Sequence, residues 1–83
     1  FDLIPSEVEG GPSVDVRFAS QIDQVVRVQL LDEEFREMAM LYYGMVEADR
    51  QHLVTYNRPL VIGKYYIIVS TPQGRYYETF VVR

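Results

Sequence analysis

Apolar and polar residues alternate along several stretches of this chain. Residues 14–18 and residues 26–30 each place an apolar side chain at every second position, with aspartate, arginine or glutamine between them. A period of two is typical of a half-buried β-strand. Residues 65–69 and residues 76–82 are longer runs of β-branched and aromatic residues, with little polar interruption. Both runs favour extended structure, so this pattern predicts a protein dominated by strands.

The segment between the last two runs has the composition of a tight turn. It reads Thr71-Pro72-Gln73-Gly74. Proline suits the second position of such a turn because its φ is already fixed, and glycine tolerates a positive φ. Residues 65–69 and 76–82 are therefore predicted to form a β-hairpin.

The middle of the chain is compatible with a helix. Its apolar residues recur at helical spacing at Phe35, Met38, Ala39, Tyr42, Met45 and Val46. Three acidic residues at positions 32–34 would suit the positive end of a helix dipole. Gly44 would weaken the helix by about 1 kcal/mol without excluding it. The local pattern slightly favours a helix near residues 33–48.

The same segment also admits a strand over residues 36–43, with Met38, Met40 and Tyr42 on one face. The fold class depends on which alternative holds. With a strand, the chain contains about six or seven short strands separated by turns roughly every 8–12 residues, which favours an antiparallel sandwich or barrel. With a helix, the fold is α+β with one helix.

Composition limits the chain to one small domain. It has 83 residues and no cysteine, which excludes disulfides, thiolate metal sites and a cysteine nucleophile. No apolar run approaches the roughly 18 residues of a membrane-spanning helix, so no membrane insertion is predicted. The first residue is Phe1 rather than methionine. We therefore expect the domain to be excised from a larger protein.

Charge is distributed unevenly around a net value of −4. Residues 1–50 carry 4 arginines and 11 acidic residues, a balance of −7, whereas residues 51–83 carry 4 basic residues and 1 acidic residue, a balance of +3. An acidic protein is not expected to bind nucleic acid. The division indicates either two differently charged surfaces on one domain or a basic face that meets an acidic partner.

Candidate catalytic or metal-binding residues are sparse. His52 is the single histidine and has no ligand-type neighbours at a metal-binding spacing, so it is interpreted as a surface residue or as one whose hydrogen bonds are satisfied. Asp32-Glu33-Glu34 lacks the spacing and glycine of a calcium loop and is interpreted as a solvated turn. The serines lack a nucleophile-elbow context. The sequence therefore predicts no enzyme activity, no metal and no cofactor.

Six of the seven tyrosines occur as adjacent pairs. Neighbouring side chains on a strand point to opposite faces, so each pair would place one ring inward and one outward. Tyr65 is predicted to face inward and Tyr66 outward, whereas Tyr76 and Tyr77 stay undecided. Outward tyrosines beside Lys64, Arg75 and Arg58 would form a mildly basic, amphipathic surface suited to an interface. Alternatively, they only stabilise cross-strand pairs.

An ordered set of motifs resembles one protein family. A segment with Leu3-Ile4-Pro5-Ser6-Glu7-Val8 and Gly10-Gly11 precedes an alternating strand, and a second strand ends at Asp32; the later matches are Leu60, Gly63, Tyr65, Ile67, Val69, Gly74 and the terminal Phe80-Val81-Val82-Arg83. Together they resemble the C-terminal sorting domain of the type IX (Por) secretion system of the Bacteroidetes. Glu33-Glu34-Phe35 departs from the family pattern, which has a glycine in the turn after the aspartate.

The resemblance implies a single C-terminal domain over residues 1–83. Its expected fold is an all-β, immunoglobulin-like antiparallel β-sandwich of about seven strands, which favours the strand in the middle segment. Its expected role is non-catalytic recognition that directs an exported protein through the type IX secretion system, from the periplasm to the cell surface or the medium. The expected partner is a protein of that machinery, with anionic lipopolysaccharide as a further candidate.

The candidate partner-binding residues lie in the last predicted hairpin. They are Lys64, Tyr66, Arg75, Tyr77 and Arg83. Two other functions stay open at this point. One is a retained immunoglobulin-like accessory domain of the secretion or surface machinery that binds a protein or an anionic glycan. The other is a carbohydrate-binding or linker sandwich attached to an enzyme.

Overall fold

The chain folds as an all-β protein. The computed structural model describes the backbone of residues 2–7 and the complete residues 14–82. Seven strands are formed there: β1 (Asp2–Glu7), β2 (Val14–Ala19), β3 (Gln24–Leu31), β4 (Glu37–Val46), β5 (Gln51–Tyr56), β6 (Gly63–Thr71) and β7 (Gly74–Val82). These described residues contain no helix. The all-β expectation is confirmed, and the α+β alternative is wrong.

The strands form two antiparallel sheets. One sheet has the order β1-β2-β5, and the other has the order β4-β3-β6-β7. The arrangement is an immunoglobulin-like sandwich in which the fourth strand lies beside the third, in the sheet that contains the last two strands. Strands β6 and β7 are joined by the predicted hairpin, with Thr71 opposite Gly74 in the register. The φ of Gly74 is 150°, so the predicted positive φ is confirmed.

The core lies between the two sheets and is built from alternate residues of the central strands. Its buried members are Val14, Val16, Phe18, Val26, Val28, Leu30, Val46, Leu60, Tyr65, Ile67 and Val69. Phe18 lies between two other rings, with its centroid 5.4 Å from Tyr42 and 5.3 Å from His52. His52 is thus a half-buried residue packed on the core. Its Nε2 is buried and has no hydrogen-bond partner among the described residues.

Strand β4 replaces the helix that the local pattern slightly favoured. It pairs with β3 along its length, so the backbone groups on the side facing β3 find their partners in the sheet. The apolar residues of β4 lie on both faces: Val46 is buried in the core, whereas Met45 is 59% exposed. Because both faces are apolar, the period of two is hidden, and the apolar residues match a helical spacing by coincidence.

Two irregularities in the β3–β4 pairing further disguise the strand. Gln29 pairs with Met40 but Val28 pairs with Tyr42, so Leu41 has no partner in the register. An extra residue of this kind is a β-bulge, and it reverses the side on which the following residues point. Tyr42 therefore packs on the core while Met40 is exposed. The prediction that Tyr42 shares a face with Met38 and Met40 is wrong for this reason.

Candidate functional site

The outward side of the β6–β7 hairpin forms a continuous surface. Tyr65, Ile67 and Val69 are buried, so the alternate residues of β6 and their partners on β7 point away from the core. We call this surface the outer hairpin face; it comprises Lys64, Tyr66, Ile68, Ser70, Arg75, Tyr77, Thr79 and Val81. Two of these eight side chains are cationic and none is acidic. The surface is therefore basic although the whole chain is acidic.

Four of the five residues singled out from the sequence lie together on the outer hairpin face. These are Lys64, Tyr66, Arg75 and Tyr77. Tyr77 is the most exposed aromatic residue of the four, at 69%. Arg83 lies outside the described residues. Sequence order alone separates Lys64 from Tyr77 by a turn, and the antiparallel register brings their strands side by side.

The structure also resolves the orientation of the last tyrosine pair. Tyr76 and Phe80 pack against the core, so Tyr77 points outward. Glu78 lies on the same side as Tyr76 and opposite the buried Ile67. It stays exposed because β7 is the last strand of its sheet. An inward-facing charge on an edge strand discourages the pairing of further strands.

Two cations of this sheet rest on aromatic rings. The Lys64 Nζ lies 5.3 Å from the centroid of the Tyr66 ring, and the Arg27 Cζ lies 5.1 Å from that of Tyr43. Such contacts hold a cation at the surface without neutralising it. In the described part of the chain, the ion pairs involve only Arg36 and Arg50. The charges of Lys64, Arg27 and Arg75 are therefore not matched by a carboxylate there.

Cross-strand pairing extends the basic surface beyond the hairpin. Ser70 pairs with Arg75 on one side and with Arg27 on the other, and Arg27 pairs in turn with Tyr43. Directly opposite residues in an antiparallel pair have Cβ atoms about 4.5–5.5 Å apart. This row therefore places a serine hydroxyl between two arginine side chains. Local sequence pattern does not indicate this row, because Arg27 lies far from Ser70 along the chain.

A cleft of about 220 Å³ opens on the outer hairpin face. It is lined by Phe35, Tyr66, Ile68, Arg75 and Tyr77, and we call it the aromatic cleft. Phe35 closes one side: its ring stacks on Tyr66 with a centroid distance of 4.3 Å and an interplanar angle of 20°. Phe35 was not among the residues predicted to form a site, because its spacing was counted as part of a helix.

The turn that carries Phe35 is organised by an aspartate. The Asp32 Oδ1 accepts hydrogen bonds from the backbone N–H groups of Glu34 (2.9 Å) and Arg36 (3.0 Å). The N–H of Phe35 donates to the carbonyl of Asp32 (3.0 Å). The acidic stretch thus forms the turn predicted for it. Phe35 itself has a φ of 62°, in the left-handed region that glycine normally occupies.

Replacing Asp32 with alanine is expected to lower the free energy of unfolding by about 1 kcal/mol, because two backbone N–H groups lose their acceptor. Urea unfolding of the purified domain measures this change. The matched control is Glu33→Ala, since Glu33 is a neighbouring exposed acid. Equal stability of the two variants would show that Asp32 does not organise the turn.

Clustered metal ligands and membrane-spanning helices are both absent from the part of the chain that the structure describes. It contains no group of three or more histidine, cysteine, aspartate or glutamate side chains arranged to hold a metal ion. Among the same residues, no helix is long and apolar enough to cross a membrane.

Comparisons with known proteins gave no match. No protein-family model matches the chain, and no curated protein or solved structure matches it significantly. The outer hairpin face combines two tyrosines with two cations that no carboxylate of the described residues neutralises.

Proposed function

We propose that this chain is a non-catalytic recognition domain that binds a partner protein through the outer hairpin face. The observation that carries the proposal is the composition of that face, which has exposed tyrosine, Lys64 and Arg75 but no acid. Tyrosine and arginine dominate the energetics of protein interfaces because they bury a large area at a modest entropic cost. An unneutralised basic patch also accelerates the approach of an acidic partner.

The more specific role comes from the family resemblance. We propose that the domain is a C-terminal sorting signal of the type IX secretion system, read at the periplasmic side of the outer membrane by a protein of that machinery. The immunoglobulin-like sandwich that the resemblance implies supports this role, as does the position of the outer hairpin face in the last two strands. Anionic lipopolysaccharide is a further candidate partner for the same basic surface.

Deleting residues 79–83 from a reporter that carries this domain at its C-terminus is expected to leave the reporter in the periplasm. The deletion removes the last part of β7. Fractionation of a type IX-competent bacterium followed by immunoblotting measures the periplasmic and external fractions. Normal secretion of the truncated reporter would contradict the sorting role.

A truncation can also unfold the domain, so a surface variant completes the test. This variant alters the outer hairpin face and leaves the buried residues unchanged. It combines Tyr66→Ser, Arg75→Glu and Tyr77→Ser. The matched control is Arg17→Glu with Leu53→Ser, since these two residues pair on the outward side of the other sheet. We expect retention in the periplasm for the first set alone. Equal secretion of both sets would refute recognition through this face.

The mass of the secreted reporter separates a sorting signal from a retained accessory domain. If the domain is a sorting signal that is removed after transport, the mass of the secreted product is lower than the encoded mass by about the mass of this chain, 9.7 kDa. A retained domain leaves the encoded mass. Intact-mass spectrometry of the surface fraction therefore decides between these two forms of the same recognition function.

A further inference from the structure

The aromatic cleft has the size and lining of a side-chain pocket. An apolar cavity of about 150 Å³ is sufficient to bind benzene. The aromatic cleft is larger, at about 220 Å³. Four of its five lining residues are aromatic or branched aliphatic: Phe35, Tyr66, Ile68 and Tyr77. A phenyl ring or a branched aliphatic side chain therefore fits there and would contact aromatic faces on more than one side.

The conformation of Phe35 indicates that the cleft is maintained for a purpose other than stability. A bulky residue in the left-handed region costs on the order of 1–3 kcal/mol, and glycine at the same position would avoid that cost. The ring is 60% exposed, so its burial returns little of this energy. Strained, exposed residues of this kind concentrate at binding sites.

The charges around the cleft specify the polar part of the ligand. Arg75 lines the cleft and also belongs to the cross-strand row with Ser70 and Arg27. Guanidinium groups bind carboxylates through two parallel hydrogen bonds, and a serine hydroxyl can add a third. A carboxylate beside an apolar group would therefore complement the cleft and this row together.

We propose that the aromatic cleft binds a segment of the partner protein that carries an aromatic or branched aliphatic side chain next to a carboxylate. The apolar side chain enters between Phe35 and Tyr77, and the carboxylate pairs with Arg75. Ser70 and Arg27 receive a second acidic residue of the same segment. This inference rests on the proposed recognition function and narrows it to a sequence preference in the partner.

The inference is tested by titrating the isotope-labelled domain with the blocked peptide acetyl-Gly-Glu-Phe-Glu-Gly-amide and following backbone and side-chain signals by NMR. Saturable shifts are expected at the residues that line the cleft, and at Ser70 and Arg27. Two control peptides carry glutamine in place of both glutamates or alanine in place of phenylalanine. Each is expected to bind at least about tenfold more weakly, which corresponds to 1.4 kcal/mol.

Substitutions in the domain test the same contacts that the control peptides test. Arg75→Gln and Phe35→Gly are each expected to weaken peptide binding by about tenfold. Phe35→Gly is expected to keep or increase thermal stability, because glycine adopts the left-handed conformation freely. The control variant Arg17→Gln lies on the other sheet and should bind the peptide like the unmodified domain.

Several results would overturn the inference. They include the absence of saturable shifts up to millimolar peptide, shifts confined to the β1-β2-β5 sheet, and equal binding of the glutamine peptide. Purified lipopolysaccharide that binds the cleft in place of the peptide would assign the site to a glycan. If the surface variants block secretion while the peptide does not bind, the recognition function stands and only the cleft preference is wrong.

Discussion

Replacing Phe18 with alanine is expected to lower the free energy of unfolding by about 3–5 kcal/mol. The ring is 1% exposed and lies between the rings of Tyr42 and His52, so the variant loses burial and both aromatic contacts and leaves a cavity. A domain of 83 residues has a total stability of about 4–12 kcal/mol. Phe18→Ala is therefore expected to bring the domain close to its unfolding threshold, as measured by urea denaturation.

Leu53→Ala is the matched control for this prediction. Leu53 lies on the adjacent strand of the same sheet but faces outward and is 55% exposed. We expect it to change stability by no more than about 0.5 kcal/mol. Phe18→Leu, which keeps most of the apolar volume, is expected to cost about 1–2 kcal/mol. A loss below 1 kcal/mol for Phe18→Ala would place this ring outside the cooperative core.

The parts of the fold that the sequence predicts well are those in which only one face of a strand is apolar. Strand β2 buries Val14, Val16 and Phe18, and the residues between them are polar and at least partly exposed, so its period of two is visible in the sequence. The β6–β7 turn is equally predictable from the sequence, because the fixed φ of proline and the tolerance of glycine for a positive φ both suit a tight turn. Both predictions depend on local chemistry alone.

Strand β4 illustrates what local pattern cannot supply. Met40 and Met45 are exposed although they are apolar, and Leu41 occupies a bulge. The apolar residues on the outer face of β4 therefore remove the alternation that would identify the strand. Only pairing with β3, which is a tertiary interaction, selects the extended conformation. The family resemblance favoured the strand because it carries such tertiary information implicitly.

Part of the candidate site can likewise be predicted from local sequence, and part of it depends on tertiary structure. Lys64 and Tyr66 share a face because they are two residues apart on one strand, and the hairpin register adds Arg75 and Tyr77. Phe35 joins them through a distant turn. Its left-handed backbone has no signature in the sequence, since the residue type that predicts this conformation is glycine.

Replacing Gly74 with alanine is expected to lower the free energy of unfolding by about 1–3 kcal/mol. The φ of Gly74 is 150°, a conformation that residues with a Cβ atom rarely adopt. An added Cβ would meet no atom within 4 Å, so the cost comes from backbone strain rather than from a clash. Because Arg75 and Tyr77 lie one and three residues after Gly74, relief of the strain by distorting the turn would also displace two residues of the aromatic cleft.

Gly44→Ala separates backbone strain from a general effect of adding a methyl group. A Cβ at Gly44 would lie 3.5 Å from the Tyr42 hydroxyl oxygen, which is ordinary van der Waals contact. Gly44 is not among the glycines with a positive φ, so this substitution is expected to be neutral or slightly stabilising. Thermal unfolding of both variants measures the difference. If Gly74→Ala and Gly44→Ala are equally stable, the turn accommodates a Cβ at Gly74 by relaxing. Titration of Gly74→Ala with the glutamate-phenylalanine peptide would then show whether the relaxed turn preserves the aromatic cleft.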